Sequence, residues 1–372
     1  MHVCTFSNTG QNEYEVDHIP VTDHESITEV LKTLNKLVQY SNYTSLHIHT
    51  LGNNFNNAVL RKILDLPLQF FYTPHLVSDL CANSGKLIYK NIQNCNGFVS
   101  PVKCQACIST TNNLPSIYSS IIFQNFLQKF IPVSILKKIR SPFHLRGKEA
   151  SLRVKLLRKK NVRVISVADW YLEILKINNL TNLSFVKQGV SNEFKLSTKN
   201  NIGHSGFSWA YVGRLSSEKG IEELITVFIK NHLPGDNLKL FVFKNVFVNE
   251  FEENILSLIS AYGNIYLEYN IIGVELSEAV LKCNALVLPT KICEMSPLVI
   301  AEANYLKLPV LCSNFIRQSS KTFTGLKFNY SNPDDFATKF NQIRNGTFTS
   351  KTTETFYQPF EEVAEKLKII YQ

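Results

Sequence analysis

The stretch Ala285–Asn314, ALVLPTKICEMSPLVIAEANYLKLPVLCSN, decides the fold. An apolar run ends at Pro289, and a polar loop then carries Glu294. Pro297 sits where a first helical turn accepts proline, and the helix it opens runs through Glu302. A second apolar run, LPVLCS at 308–313, follows after a short turn. Strand, helix and strand in this order predict a parallel sheet covered by helices. Ligands of such sheets lie beyond the carboxyl ends of the strands, where a helix N-terminus offers free amides to a phosphate. The amides of Met295, Ser296 and Leu298 are placed for a diphosphate, and the carboxylates of Glu294 and Glu302 for hydroxyl groups.

The same grammar extends outward. WAYVGRLSSEKGIEELITVF at 209–228 reads as a strand ending in Gly213, then Arg214, a polar turn with Lys219, and a helix whose Ile221, Leu224, Ile225 and Phe228 form one apolar stripe. Arg214 and Lys219 therefore flank a strand mouth, where two cations suit a departing diphosphate; two solvated loop cations are the alternative. FSWAYVG, LKLFVF, NIYLEY, ALVLPT and LPVLCS give strands for one doubly wound domain. Upstream of a polar linker at 195–206, SLHIHTL (45–51), LQFFYTP (68–74) and RVISVAD (163–169) read as strands of another, with a helix over 56–66. The expected organisation is a first domain at 1–195, a second at 196–355 and a terminal helix at 356–372.

A chain of 372 residues with 44% hydrophobic residues can fill two cores. No apolar run reaches the roughly 20 residues of a membrane-spanning helix, and no secretory pattern opens the chain, so a cytoplasmic location is expected. Residues 1–195 hold 22 Lys and Arg against 12 Asp and Glu, whereas 196–372 hold 17 against 18, so the net +9 belongs to the first half. It peaks between Lys137 and Lys160, where ten cations face only Glu149. Such a run suits an anionic membrane surface, here the inner face of the cell membrane, or equally a solvated face. Nucleic acid is not expected, because no recognition pattern accompanies the charge. Cys81, Cys95, Cys104 and Cys107 end in a Cys-x-x-Cys pair, a grouping that leaves a structural zinc and reduced or disulfide-bonded thiols as alternatives.

The segments around Arg214 and Glu294 resemble the retaining glycosyltransferases of family four, which have the GT-B fold: α/β, with two Rossmann-like doubly wound domains facing across a cleft. Glu294 and Glu302 match that family's Glu-x7-Glu motif, and Arg214 and Lys219 its diphosphate-binding Arg and Lys. The resemblance implies that Glu294 approaches the donor sugar and Glu302 the ribose hydroxyls. QGVSNEF at 188–194 is similar to the family's interdomain element, and the terminal EEVAEKLKIIYQ to a helix that crosses back to the first domain. TPHLVSDLC and the cysteines after it resemble a pattern of members that build polysaccharides and lipopolysaccharides, which assigns His75 to the family's histidine near the sugar; a structural histidine at a strand end is its other reading. The departures are specific. Leu76 replaces an Asp, Phe315 and Ile316 replace a Gly-Gly, a Gly-rich turn after LKLFVF is absent, and the chain opens at what resembles a later strand, as though the first strand and its Gly-rich loop were missing.

The resemblance thus implies transfer of a sugar, with retention, from a nucleoside diphosphate donor to a saccharide or polyprenyl-diphosphate-linked acceptor. No catalytic cofactor is implied, and no Asp-x-Asp for a divalent metal lies near the donor segments. A catalytically impaired binding module and a nucleotide-sugar epimerase are the rival readings.

Overall fold

The computed structural model describes residues 3–5, 16–18, 32, 34–36, 44–49, 51, 57–83, 85, 87–89, 93–111, 146–191, 206–243, 250–318, 323, 325–348 and 358–372. The chain forms two compact units. One holds Met1–Ser166 with Leu172–Ser184, the other Val167–Tyr171 with Phe185–Gln372.

In the first unit β1 (Val3–Thr5) and β2 (Val16–His18) form a parallel pair. β3 (Ser45–His49) leads to α1 (Asn57–Ile63) and β4 (Gln69–Thr73). A small antiparallel hairpin, β5 (Ile88–Tyr89) and β6 (Gln93–Asn94), precedes α2 (Pro101–Thr111) and α3 (Arg146–Leu157). β7 (Val162–Ser166), α4 (Asp169–Ile177) and β8 (Leu183–Phe185) follow, and the main sheet has the order β3-β4-β7-β8. Phe70, Phe71, Tyr72, Val162, Val164 and Ile165 are all buried, as expected of parallel strands covered on both faces.

The second unit is built on β9 (Ser208–Arg214), α5 (Ile221–Asn231), β10 (Asn237–Phe243), α6 (Glu250–Ile259), β11 (Ile265–Tyr269), α7 (Gly273–Leu281), β12 (Ala285–Leu288), α8 (Leu298–Tyr305), β13 (Val310–Ser313), β14 (Leu326–Phe328) and α9 (Pro333–Arg344). Its sheet is wholly parallel, in the order β11-β10-β9-β12-β13-β14. Alternation along the strands divides the core. Trp209, Tyr211, Leu240 and Val287 pack with α5, α6 and α9 on one face, and Ala210, Val212, Leu286 and Val310 with α7 and α8 on the other. Asn332 caps α9 by accepting from the amides of Asp334 and Asp335, and Pro333 occupies the first helical position. α10 (Phe360–Tyr371) closes the chain, and a bridge from Val190 to Pro359 ties its start to the segment that enters this unit. Strand order reverses between β9 and β12, and the crevice at such a reversal is where open α/β sheets bind ligands.

Candidate active site at the carboxyl edge of the second sheet

β9 and β12 both end at this reversal, and their loops are locked together. The turn after β9 holds a short 3-10 segment, Ser217–Lys219, and closes at Gly220, whose φ of +71° lies in the left-handed region. A Cβ at Gly220 would stand 1.9 Å from the Pro289 carbonyl oxygen, so only glycine lets the two loops meet. The Lys291 amide donates to the Glu218 carbonyl at 2.8 Å, and the Ser313 hydroxyl donates to the Thr290 carbonyl at 2.6 Å, which adds the end of β13 to the same edge. Beneath them the buried Tyr211 hydroxyl donates to the Arg214 carbonyl at 2.8 Å. Gly213 leaves room for that phenol, since a Cβ there would come within 3.0 Å of its oxygen.

On this frame Lys219 and Glu294 meet. The Lys219 ammonium lies 2.9 Å from Glu294 Oε1, and the two side chains are only 14% and 17% exposed. Arg214 is different: its side chain is 57% exposed and its guanidinium reaches Glu218 at 3.7 Å, a surface pair of small energetic value that leaves the cation available to a ligand. The loop then runs through buried Met295 and half-buried Ser296 into α8, whose first residue, Leu298, is exposed. Among the described residues the amides of Met295 and Ser296 have no hydrogen-bond partner, and the first amides of α8 lack intrahelical acceptors. Pro297 caps this helix rather than occupying its first turn, one residue earlier than the sequence pattern suggests.

Glu302 lies on α8 and lines an apolar cleft together with Val212, Leu276, Val280, Leu286 and Val299. Among the described residues its carboxyl group has no partner. Burial alone raises its pKa to about 7, so near neutrality the group is divided between acid and carboxylate. A neighbour offering two hydroxyl donors would draw it to the ionised form.

His75 lies in the first unit and is part of a cluster that the sequence reading did not assemble. β3 pairs in parallel with β4 with His49 opposite Thr73. His49 Nδ1 and His75 Nε2 are 3.1 Å apart with their rings stacked, the His47 ring stands 4.0 Å from that of His49, and His47 Nε2 is 2.8 Å from the Thr73 hydroxyl. Burial, then the neighbouring imidazoles, lowers His47 to about 3 and also lowers His75; burial lowers His49. His75 is therefore neutral at physiological pH, fitted to hydrogen bonding and not to charge neutralisation. The signal was present: His47 and His49 alternate on one strand and so share a face.

Cys81, Cys95, Cys104 and Cys107 are free thiols. They share one neighbourhood, since the other three all act electrostatically on Cys104, and burial raises the pKa of Cys81 and Cys104. The Gly97 amide points at Cys95 Sγ (3.4 Å) and the Asn83 amide group at Cys107 Sγ (3.8 Å). Among the described residues no group of three or more His, Cys, Asp or Glu is arranged to hold a metal ion.

The basic run is partly used for folding. Arg153 donates to Asp79 and Asn57, Arg158 to the Asn178 carbonyl, and Lys159 pairs with Asp65 at 2.6 Å. Val154, Leu156 and Leu157 are buried, so the apolar side of α3 is core and is not available to a bilayer interface. Lys137, Lys138 and Arg140 fall outside the described residues. No described helix is long and apolar enough to cross a membrane.

Residues 193–355 match the family model described as Glycosyl transferases group 1. No curated protein matches the chain in sequence. Similar solved structures include sucrose-phosphate synthase from Thermosynechococcus elongatus (TM-score 0.65, 14% identity, covering 100% of this chain and 88% of that one). HepE from Anabaena, in complex with UDP and glucose, gives a TM-score of 0.59 at 12% identity, over 96% of this chain and 85% of that one. The lipopolysaccharide outer core galactosyltransferase WaaB gives 0.58 at 11%, over 97% and 85%. At these identities the likeness establishes the fold, which is GT-B.

Proposed function

We propose that this chain is a retaining glycosyltransferase that takes a sugar from a nucleoside diphosphate donor, with UDP the first candidate nucleotide. One observation carries the reading: at the strand reversal of the second unit, the Lys219–Glu294 pair stands in the same loops as an exposed Arg214 and the amides of Met295 and Ser296, which have no partner among the described residues. Cations and amides there match a diphosphate, and carboxylates match the hydroxyls of sugar and ribose. The UDP assignment draws on the solved HepE complex, which holds UDP and glucose.

In the reaction the bond between the sugar C1 and the β-phosphate oxygen breaks, and its electron pair goes to the diphosphate. The acceptor hydroxyl bonds to C1 on the same face and gives its proton to a departing phosphate oxygen. Negative charge thus grows on the diphosphate in the transition state. Arg214, Lys219 and the loop amides are the groups that meet it, so they favour the transition state over bound donor. Glu294 then serves the sugar hydroxyls, and Glu302 the ribose hydroxyls. The acceptor on this reading is a saccharide or a polyprenyl-diphosphate-linked saccharide, presented at an anionic membrane surface to which the basic first half is drawn.

Arg214→Ala and Lys219→Ala test the assignment. Each is expected to lower kcat by about 100-fold or more while changing donor affinity only a few-fold, as loss of a transition-state contact does. A rise in KM with kcat intact contradicts the role.

A further inference from the structure

Trp170 stands at the start of α4, on the short segment Val167–Tyr171 that belongs to the second unit, and its indole N–H donates to the Met295 carbonyl at 3.1 Å. This bond acts on the loop that carries Glu294. The peptide joining Met295 to Ser296 is planar and trans, so its N–H points away from its C=O. Anchoring the Met295 carbonyl on the indole therefore fixes the direction of the Ser296 amide, one of the donors without a partner among the described residues.

The indole is itself held. Its own backbone amide donates to Asp169 Oδ1 at 2.7 Å, Tyr171, fully buried, meets it edge-on with ring centroids 5.5 Å apart, and the Arg317 guanidinium stands 5.9 Å from the ring centroid. Indole is a donor only, so the carbonyl is the natural partner for its N–H. Neither resemblance nor spacing marks this residue.

We infer that Trp170 is a positioning residue that sets the Ser296 amide for the donor diphosphate, an inference resting on the donor-site reading above. Its effect falls on the phosphates and not on the nucleoside. Trp170→Phe removes the N–H and keeps an aromatic ring.

Calorimetry with UDP and with uridine, on wild type and Trp170→Phe, reads the difference. The variant is expected to bind UDP about ten-fold more weakly, as loss of orientation for one charge-assisted bond predicts, and uridine unchanged. Equal weakening for both ligands, or no change for UDP, overturns the inference. A second measurement needs no variant. Trp170 and Trp209 are the chain's two tryptophans, and Trp209 is sealed in the core, so UDP is expected to alter the intrinsic fluorescence where uridine does not. An unchanged spectrum at saturating UDP also overturns it. Failure of wild type to bind UDP, ADP, GDP or dTDP removes the donor-site reading itself, a result distinct from selective survival of UDP binding in the variant.

Discussion

Glu302 is the residue whose titration most directly links structure to function. Its pKa of about 7 has one cause, burial, and among the described residues the carboxyl group has no partner. A raised carboxyl pKa means that the folded state disfavours the charge, so this group's contribution to stability declines as pH rises from the unfolded value of about 4.5 toward 7. Ligand binding runs the other way. On the proposed role ribose hydroxyls donate to the carboxylate, so nucleotide affinity should increase with pH up to about 7 and then level off, with a proton released on binding below that point. Calorimetry of UDP in two buffers of different ionisation enthalpy at pH 6 checks the proton release. Glu302→Gln should abolish the pH dependence and weaken binding by about 1.5–3 kcal/mol, the range for a charged hydrogen bond. A pH-independent wild type would contradict this use of the carboxyl group. Glu294 and Glu302 could be picked out as candidates from the strand–loop–helix context around Pro297 and from the family resemblance, their spacing alone being weak evidence. The ion pair of Glu294 with Lys219 could not, because their 75-residue separation closes only when β9 and β12 become neighbours.

At the scale of elements, the loops at the strand reversal depend on Gly220. Its positive φ and the Pro289 carbonyl 1.9 Å from a would-be Cβ combine a backbone penalty with a steric one. Gly220→Ala should therefore cost about 2–4 kcal/mol of stability, above the roughly 1 kcal/mol of a left-handed alanine alone, because the Pro289 backbone must move. Chemical denaturation monitored by Trp209 measures it, and a loss below about 0.5 kcal/mol would show that the loops do not pack as described. The strands that position this edge were all readable from their apolar runs, and β9, β10, β12 and β13 fall within a residue or two of expectation. β14 and β8 were not, since three residues bounded by polar turns carry too little periodicity. The basic helix α3 shows the opposite failure. Its run of cations was plain, but sequence does not say whether the apolar residues between them face a core or a membrane, and here Val154, Leu156 and Leu157 are core. The histidine cluster was missed for a related reason: His47 and His49 are near each other along one strand, whereas His75 joins them through sheet register.

For the molecule as a whole, charge and chemistry are separated. The excess cations lie in residues 1–195, while the sheet reversal that carries Lys219, Glu294 and Glu302 lies in a half close to neutral. The donor chemistry proposed for this edge is therefore local, resting on loop closure and loop amides and not on a broad positive field. The two-domain organisation was legible because both halves repeat the strand–helix grammar. The grammar does not reach the identity of sugar or acceptor, which depends on side chains brought together by folding. Release of free nucleoside diphosphate from a panel of nucleotide sugars, with and without a saccharide acceptor, separates a transferase from an epimerase and from an inert binding module. Wild type is expected to release nucleoside diphosphate from at least one UDP-sugar, faster with acceptor, and Lys219→Ala to do so about 100-fold more slowly. Conversion of the sugar without nucleotide release, or binding without any turnover, would contradict the transferase reading.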